Sequence, residues 1–162
     1  MSLETARAHL KKFGKDQDII ELGLSSATVE LAALALGTQE CRIAKSLSFG
    51  NAERTILVVT AGDMRIDNQK FRQEFGFKAS MLDADAVDRR IGHAIGGVCP
   101  FGVNPEVEVY LDISLQAYDF VYPACGSHNS AIKLTCAELQ TISLSQKWID
   151  VCKPKPEPQN LS

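Results

Sequence analysis

Lys45 is placed where a lysine is hardest to explain as mere surface. Residues 41–49 read as a strand, in which side chains alternate between faces. The odd positions carry Ile43, Lys45, Leu47 and Phe49, and the even positions carry Arg42, Ala44, Ser46 and Ser48. The lysine therefore stands in the middle of the apolar face. An ammonium in that position is costly unless it is paired or neutralised. One reading makes it a functional cation with a specific partner. The other lets the register slip at a bulge, or lets the amine snorkel out at the strand end.

A second candidate is the loop over residues 92–102, which holds four glycines and one proline in 11 residues. Glycine allows close approach of backbone to a ligand. Successive amides in such a loop can form an anion or oxyanion site. The stretch Gly96, Gly97, Val98, Cys99, Pro100, Phe101 and Gly102 carries no Gly-Lys-Ser/Thr, and it lacks G-x-G-x-x-G after a strand, so a nucleotide cradle is disfavoured. The alternative is a tight connection with no chemistry of its own.

The remaining candidates are isolated side chains. Gly126, Ser127, His128 and Asn129 form a polar turn between two strands, which places His128 at a sheet end. Cys99 reads either as a nucleophile with His128 as its base or as a small pocket wall. Asp112 ends a strand and either pairs with Lys45 or caps a turn. Ser127 has no visible base partner. His93 precedes the glycine loop, and His9 is expected on the solvent side of the first helix. Cys125 and His128 have no second ligand pair at the spacing of a zinc site, so no metal is expected.

These groups need a scaffold. The chain has 162 residues, 45% of them apolar, with 17 Lys+Arg against 20 Asp+Glu for a net charge of −3. That is a globular composition long enough for a single cored domain. Apolar runs fall far short of the roughly 20 residues a membrane helix needs, and the N-terminus shows no signal-peptide pattern. The expectation is a cytoplasmic protein whose five cysteines are free thiols. The mildly acidic balance argues against coating nucleic acid, DNA included, by bulk charge, though not against a local basic patch.

Helices are expected from Leu3 to Phe13, with Gly14 at the end, and from the Ser25, Ser26 and Thr28 caps to Gly37. Further helices are expected over 68–75, 83–91 and, as a turn, 136–141. The second helix is apolar nearly all round, which predicts a buried element. Strands are expected at 19–22, 41–49, 55–60, 106–112, 120–122, 130–135 and 148–151. The mixed order favours an α+β domain over residues 1–152, with a largely antiparallel, barrel-like sheet surrounded by helices. A flexible proline-bearing tail is expected over 153–162.

Taken in order, strand-borne Lys45, Gly96-Gly97-Val98-Cys99-Pro100-Phe101-Gly102, Val109-Tyr110-Leu111-Asp112, Gly126-Ser127-His128 and Ala137-Glu138-Leu139 resemble the YbaK/ProX family. Its members are aminoacyl-tRNA editing proteins related to the editing domain inserted in bacterial prolyl-tRNA synthetases. The resemblance implies a mixed, mostly antiparallel barrel-like fold. It also implies hydrolysis of the ester between a wrong amino acid and a tRNA, often the proline tRNA. Lys45 and Gly97 would then be catalytic. Gly96, Val98, Cys99, Pro100, Phe101, Gly102, Asp112, Ser127 and His128 would form the substrate site, with His128 shaping the amino-acid pocket. No cofactor is required, because an aminoacyl ester is already activated and a held water suffices. The partners implied are the acceptor end of aminoacyl-tRNA and an aminoacyl-tRNA synthetase, with phosphate contacts drawn from Lys11, Lys12, Arg42, Arg54, Lys78, Arg89 and Arg90. Two rival readings are a non-catalytic tRNA- or synthetase-binding module of the same fold, and a hydrolase of small aminoacyl or thioester compounds using Cys99.

Overall fold

The computed structural model describes residues 2–156. In chain order these form α1 (Ser2–Lys11), β1 (Ile20–Glu21), α2 (Val29–Leu36), β2 (Ile43–Gly50), β3 (Thr55–Ala61) and β4 (Met64–Ile66). Then come α3 (Asn68–Phe75), α4 (Ala84–Ile91), β5 (Val107–Asp112), β6 (Tyr122–Pro123), β7 (Ser130–Ala131), α5 (Cys136–Ile142), β8 (Trp148–Ile149) and β9 (Cys152–Pro154). A five-stranded sheet in the order β6-β2-β3-β5-β8 is flanked by two small sheets, β1-β7 and β4-β9. The architecture is mixed α+β. The longest ladder, β2 with β3, and both small sheets are antiparallel, while β6, β5 and β8 join the central sheet in parallel.

β3 is central because Thr-Ile-Leu-Val-Val-Thr-Ala is β-branched or apolar throughout, and every residue in it is buried. Its alternation divides the core in two. Leu57, Val59 and Ala61 pack with Ala44, Val109 and Leu111 beneath α1, α4 and α5. Ile56 and Val58 pack with Phe49, Tyr110 and Phe71 of α3 on the other face. The helices start and stop where their caps dictate. Thr28, Asp67 and Asp83 side chains accept amide protons of the first turns of α2, α3 and α4, and Thr135 with Glu138 forms a capping box on α5. Each such cap contributes about 1 kcal/mol. Gly37, Gly76 and Gly92 end α2, α3 and α4 in the left-handed region.

Several expectations are corrected. Residues 40–42 form a 3-10 turn, so β2 begins at Ile43. α2 buries only Ala32 and Ala33, which pack against Ile43 and Tyr122. Leu34 is 78% exposed, because this short helix lies at the periphery and buries one face only. The run 130–135 keeps strand pairing only at Ser130–Ala131, beyond which Leu134 makes an isolated bridge to Val121. His9 is partly buried, with its Nε2 2.6 Å from the Ile142 carbonyl and its ring against Phe13 and Phe101, so it ties α1 to α5. Lys153 and Pro154 belong to β9, which pairs with β4 and so extends the ordered chain past 152. The rest of the expected tail, from residue 157, lies outside the described residues.

One consequence of the topology positions the site. The outer edge of β2 is covered at its start by β6, which pairs with Ile43 and Ala44. At its end it is covered by residues 80–82, through Gly50 N–H to the Ser80 carbonyl at 3.1 Å and Leu82 N–H to the Ser48 carbonyl at 3.0 Å. Among the described residues, no strand pairs with that edge between these covers.

Candidate active site

A cavity of about 280 Å3 opens at the uncovered edge of β2. The strand contributes Lys45 from one face and Ala44, Ser46 and Ser48 from the other, so the cavity wraps the edge. Ser26, Ala27, Thr28 and Val29 bring the positive end of the α2 dipole to a second wall. Ile95, Gly96 and Val98 of the glycine loop form a third, with Met81, Val87, Tyr122, Ala124 and Ala131 completing it. The lining is mainly small and apolar, and Lys45 is its one charged residue.

Lys45 pairs across the ladder with Thr60, on the sheet face that carries Leu47 and Phe49, as strand alternation requires. Its side chain is half-buried. Nζ donates to the Gly62 carbonyl at 3.4 Å, in the β3–β4 connection, and to the carbonyl of Met64, the first residue of β4. An ammonium has three donors, so these two anchors hold the group while leaving a third N–H. Burial first, and then the neighbouring Lys155, lower its pKa from 10.5 to about 8. The cation is therefore destabilised and close to titration at physiological pH.

The glycine loop splits into a half that faces this cavity and a half that does not. Gly96 lines the cavity with φ +96°, a conformation that side chains rarely adopt. Gly97 is buried against the 126–127 turn, where a Cβ would lie 2.6 Å from the Gly126 carbonyl atoms and 2.7 Å from the Ser127 nitrogen. Its amide donates to the Ala94 carbonyl at 3.1 Å. Gly97 therefore locks the loop and does not offer a free donor. The amides of Gly96 and Val98 have no hydrogen-bond acceptor among the described residues.

The other half turns away. Pro100 and Gly102 border a wider hollow of about 730 Å3 against α1, which contains neither Lys45 nor the loop residues Gly96 and Val98. Phe101 is fully buried in the core. Cys99 is 0% exposed, with Sγ 3.6 Å from both His93 Nε2 and the Phe101 carbonyl. Burial pushes its thiol up to about 12. A sealed, protonated thiol is a poor nucleophile, so the reading of Cys99 as nucleophile fails, and its ring partner is His93, not His128.

Asp112 does not join Lys45. It is buried, and its carboxylate accepts the Ser114 amide at 3.0 Å and the Val151 amide at 2.9 Å, so it caps the turn after β5 and ties in the chain before β9. Ser127 Oγ lies within hydrogen-bond distance of Asn129 Oδ1 (3.0 Å) and Ser130 Oγ (2.7 Å) in its own turn, with one proton to give. His128 is exposed beside the cavity, with its Cβ 3.8 Å from where a Gly96 Cβ would lie and its carbonyl accepting from Ser26. Among the described residues, no group of three His, Cys, Asp or Glu side chains could hold a metal.

Three of the expected phosphate-binding cations are engaged within the fold. Arg42 binds Asp119 at 2.6 Å and lies over the Phe120 ring, and Arg54 makes a two-point ion pair with Glu108. Arg90 donates to Thr55 and to the carbonyls of Asn51 and Arg54, clamping the β2–β3 hairpin. Lys11, Lys12, Lys78 and Arg89 remain exposed. Sequence reasoning missed the Ser26–Thr28 wall and Met81. The Ser-Ser-Ala-Thr run signalled a helix start, but nothing in it said which cavity that start faces.

Residues 25–142 match the family model of the aminoacyl-tRNA editing domain. The chain is 54% identical over 154 residues to the uncharacterized protein YwhH of Bacillus subtilis, covering 94% of this chain and 98% of that protein. It is 26% identical over 121 residues to EbsC of Enterococcus faecalis, a proposed Cys-tRNA(Pro)/Cys-tRNA(Cys) deacylase, covering 74% of each. The crystal structure of a proposed trans-editing enzyme for prolyl-tRNA synthetase superposes with a TM-score of 0.85 at 29% identity, covering 94% of this chain and 97% of that one. No helix among the described residues is long and apolar enough to cross a membrane.

Proposed function

This chain belongs to the aminoacyl-tRNA editing domain family, and on that premise we propose that it is a trans-editing hydrolase that removes small, uncharged aminoacyl groups from mischarged tRNA, the proline tRNA foremost. The observation that carries this reading is that Lys45 lies in the wall of the same small cavity as Gly96 and Val98. The family, the Cys-tRNA(Pro) and Cys-tRNA(Cys) substrates named for one relative and the prolyl-tRNA synthetase named for another support the choice of substrate. The mainly small, apolar lining supports a small acyl group; it holds no carboxylate to pair with a basic side chain, and its one charge, the Lys45 ammonium, is tied to the Gly62 and Met64 carbonyls.

In the proposed reaction, the oxygen of a held water attacks the acyl carbon of the ester. The carbonyl oxygen becomes an oxyanion, which takes hydrogen bonds from the free amides of Gly96 and Val98. Removing one such donor costs roughly 10²–10³ in rate in comparable acyl transfers. The Lys45 ammonium supplies positive charge, and its third N–H protonates the departing ribose oxygen as the acyl–oxygen bond breaks. The attacking water loses its proton to solvent, and the amine regains one. The products are a free amino acid and uncharged tRNA, with no covalent enzyme intermediate.

Deacylation of alanyl-, cysteinyl-, seryl- and threonyl-tRNA(Pro) by the purified protein tests this. At least one ester should be hydrolysed by the wild type and spared by Lys45→Ala, with the far-ultraviolet circular dichroism of the variant unchanged. Full activity of a folded Lys45→Ala variant would remove the lysine from the site, and inactivity of the wild type on every ester would remove the function.

A further inference from the structure

We propose that Met81 and Ile95 form an apolar clamp at the cavity mouth that grips the adenine of the 3′-terminal nucleotide carrying the acyl group. This inference rests on the deacylase reading and adds a second binding station to it. At about 280 Å3 the cavity falls just below the roughly 300–1,000 Å3 of sites that enclose whole small ligands. In this proposal the acyl group enters the cavity and the nucleoside stays at its mouth.

The mouth is built to meet an apolar plate. Met81 and Ile95 both line the cavity, yet they are 64% and 62% exposed. Neither sits on a loose segment. Met81 bridges Phe49, between the two hydrogen bonds that fasten residues 80–82 to β2. Ile95 sits in the turn closed by Gly97 N–H to the Ala94 carbonyl. Two large apolar side chains on fixed backbones, left in water on different walls of one opening, are what a flat aromatic ring entering between them would cover. The thioether of Met81 suits an aromatic face in particular. The other exposed apolar residues nearby, Leu24 and Leu34, do not line the cavity and take no part.

The test compares two esters of one amino acid that the wild type deacylates from tRNA: the 3′-O-aminoacyl adenosine and the ethyl ester, which has no base. In Met81→Ala/Ile95→Ala, kcat/KM for the nucleoside ester relative to the ethyl ester should fall roughly tenfold, the worth of a lost apolar contact to an aromatic ring. The fall should appear in KM and not in kcat, and Met81→Leu should recover part of it. An unchanged ratio in a variant that still deacylates tRNA overturns the clamp and leaves the proposed function standing. A wild type that hydrolyses neither ester nor any mischarged tRNA removes both.

Discussion

Gly97→Ala should damage both the fold and the site, for a reason the loop geometry makes quantitative. The new methyl carbon would fall 2.6 Å from the Gly126 carbonyl carbon and oxygen and 2.7 Å from the Ser127 nitrogen. All three are backbone atoms, so no side-chain rotation relieves the contact. The 94–99 turn must retreat from the 126–127 turn. Overpacking of this kind costs about 1–3 kcal/mol, which for a chain of this size lowers the melting temperature by roughly 2–12 °C. The same retreat moves the Gly96 and Val98 amides, and a displacement of about 1 Å in a positioning element can cost on the order of 10²-fold in rate. Gly96→Ala is the control, because its Cβ would meet nothing closer than 3.8 Å. Its cost is the φ of +96°, about 1–2 kcal/mol of backbone strain. Thermal melts monitored by circular dichroism, paired with single-turnover deacylation, separate the two. A Gly97→Ala protein with wild-type melting temperature and wild-type rate would refute the argument that close backbone approach holds the loop in place.

Other consequences follow from the same contacts. Asp112→Ala orphans the buried amide of Val151, at about 1–3 kcal/mol, and the half-buried amide of Ser114, so a urea melt should show a clear loss of stability, and an unchanged midpoint would contradict the capping role. Cys99→Ser should keep deacylation near the wild-type rate, since a sealed thiol does no chemistry, and abolished turnover in the folded variant would restore the nucleophile reading. Deacylation should decline as pH rises through about 8, where Lys45 loses its proton, and not near its ordinary 10.5. The folded state binds this proton less tightly than the unfolded state, so stability attributable to Lys45 should rise between about pH 8 and 10.5. Lys45→Met should accordingly be more stable than wild type at neutral pH, with the gap narrowing through that window in melts at stepped pH.

Much of this molecule is legible from its residues, and the limits have physical causes. Helix α3 falls where Asn68 to Phe75 place it, since Asp67 and Gly76 punctuate both ends and Phe71 and Phe75 share a face. The apolar company of Lys45 is real, because β2 keeps strict alternation against β3 from Ala44 to Gly50. β4 and β9 escaped notice because three-residue strands, one ending in proline, carry too little periodicity to register. The role of Gly97 was misjudged because sequence shows that a glycine is needed, but not whether its missing side chain makes room for a ligand or for another turn of backbone. Asp112 was ambiguous for a similar reason, as a carboxylate at a strand end serves a cap or a cation equally well until its donors are seen. Cavity walls that meet from distant segments, such as Ser26, Met81 and Ala131, have no local signature at all.

The most direct measurement is a crystal structure with a non-hydrolysable 3′-aminoacylamino analogue of adenosine. The acyl group should sit in the β2-edge cavity, its carbonyl oxygen within about 3 Å of the Gly96 or Val98 amide and Lys45 in the same enclosure. An acyl group lodged in the hollow against α1, or held in the cavity with both amides unengaged, would contradict the account.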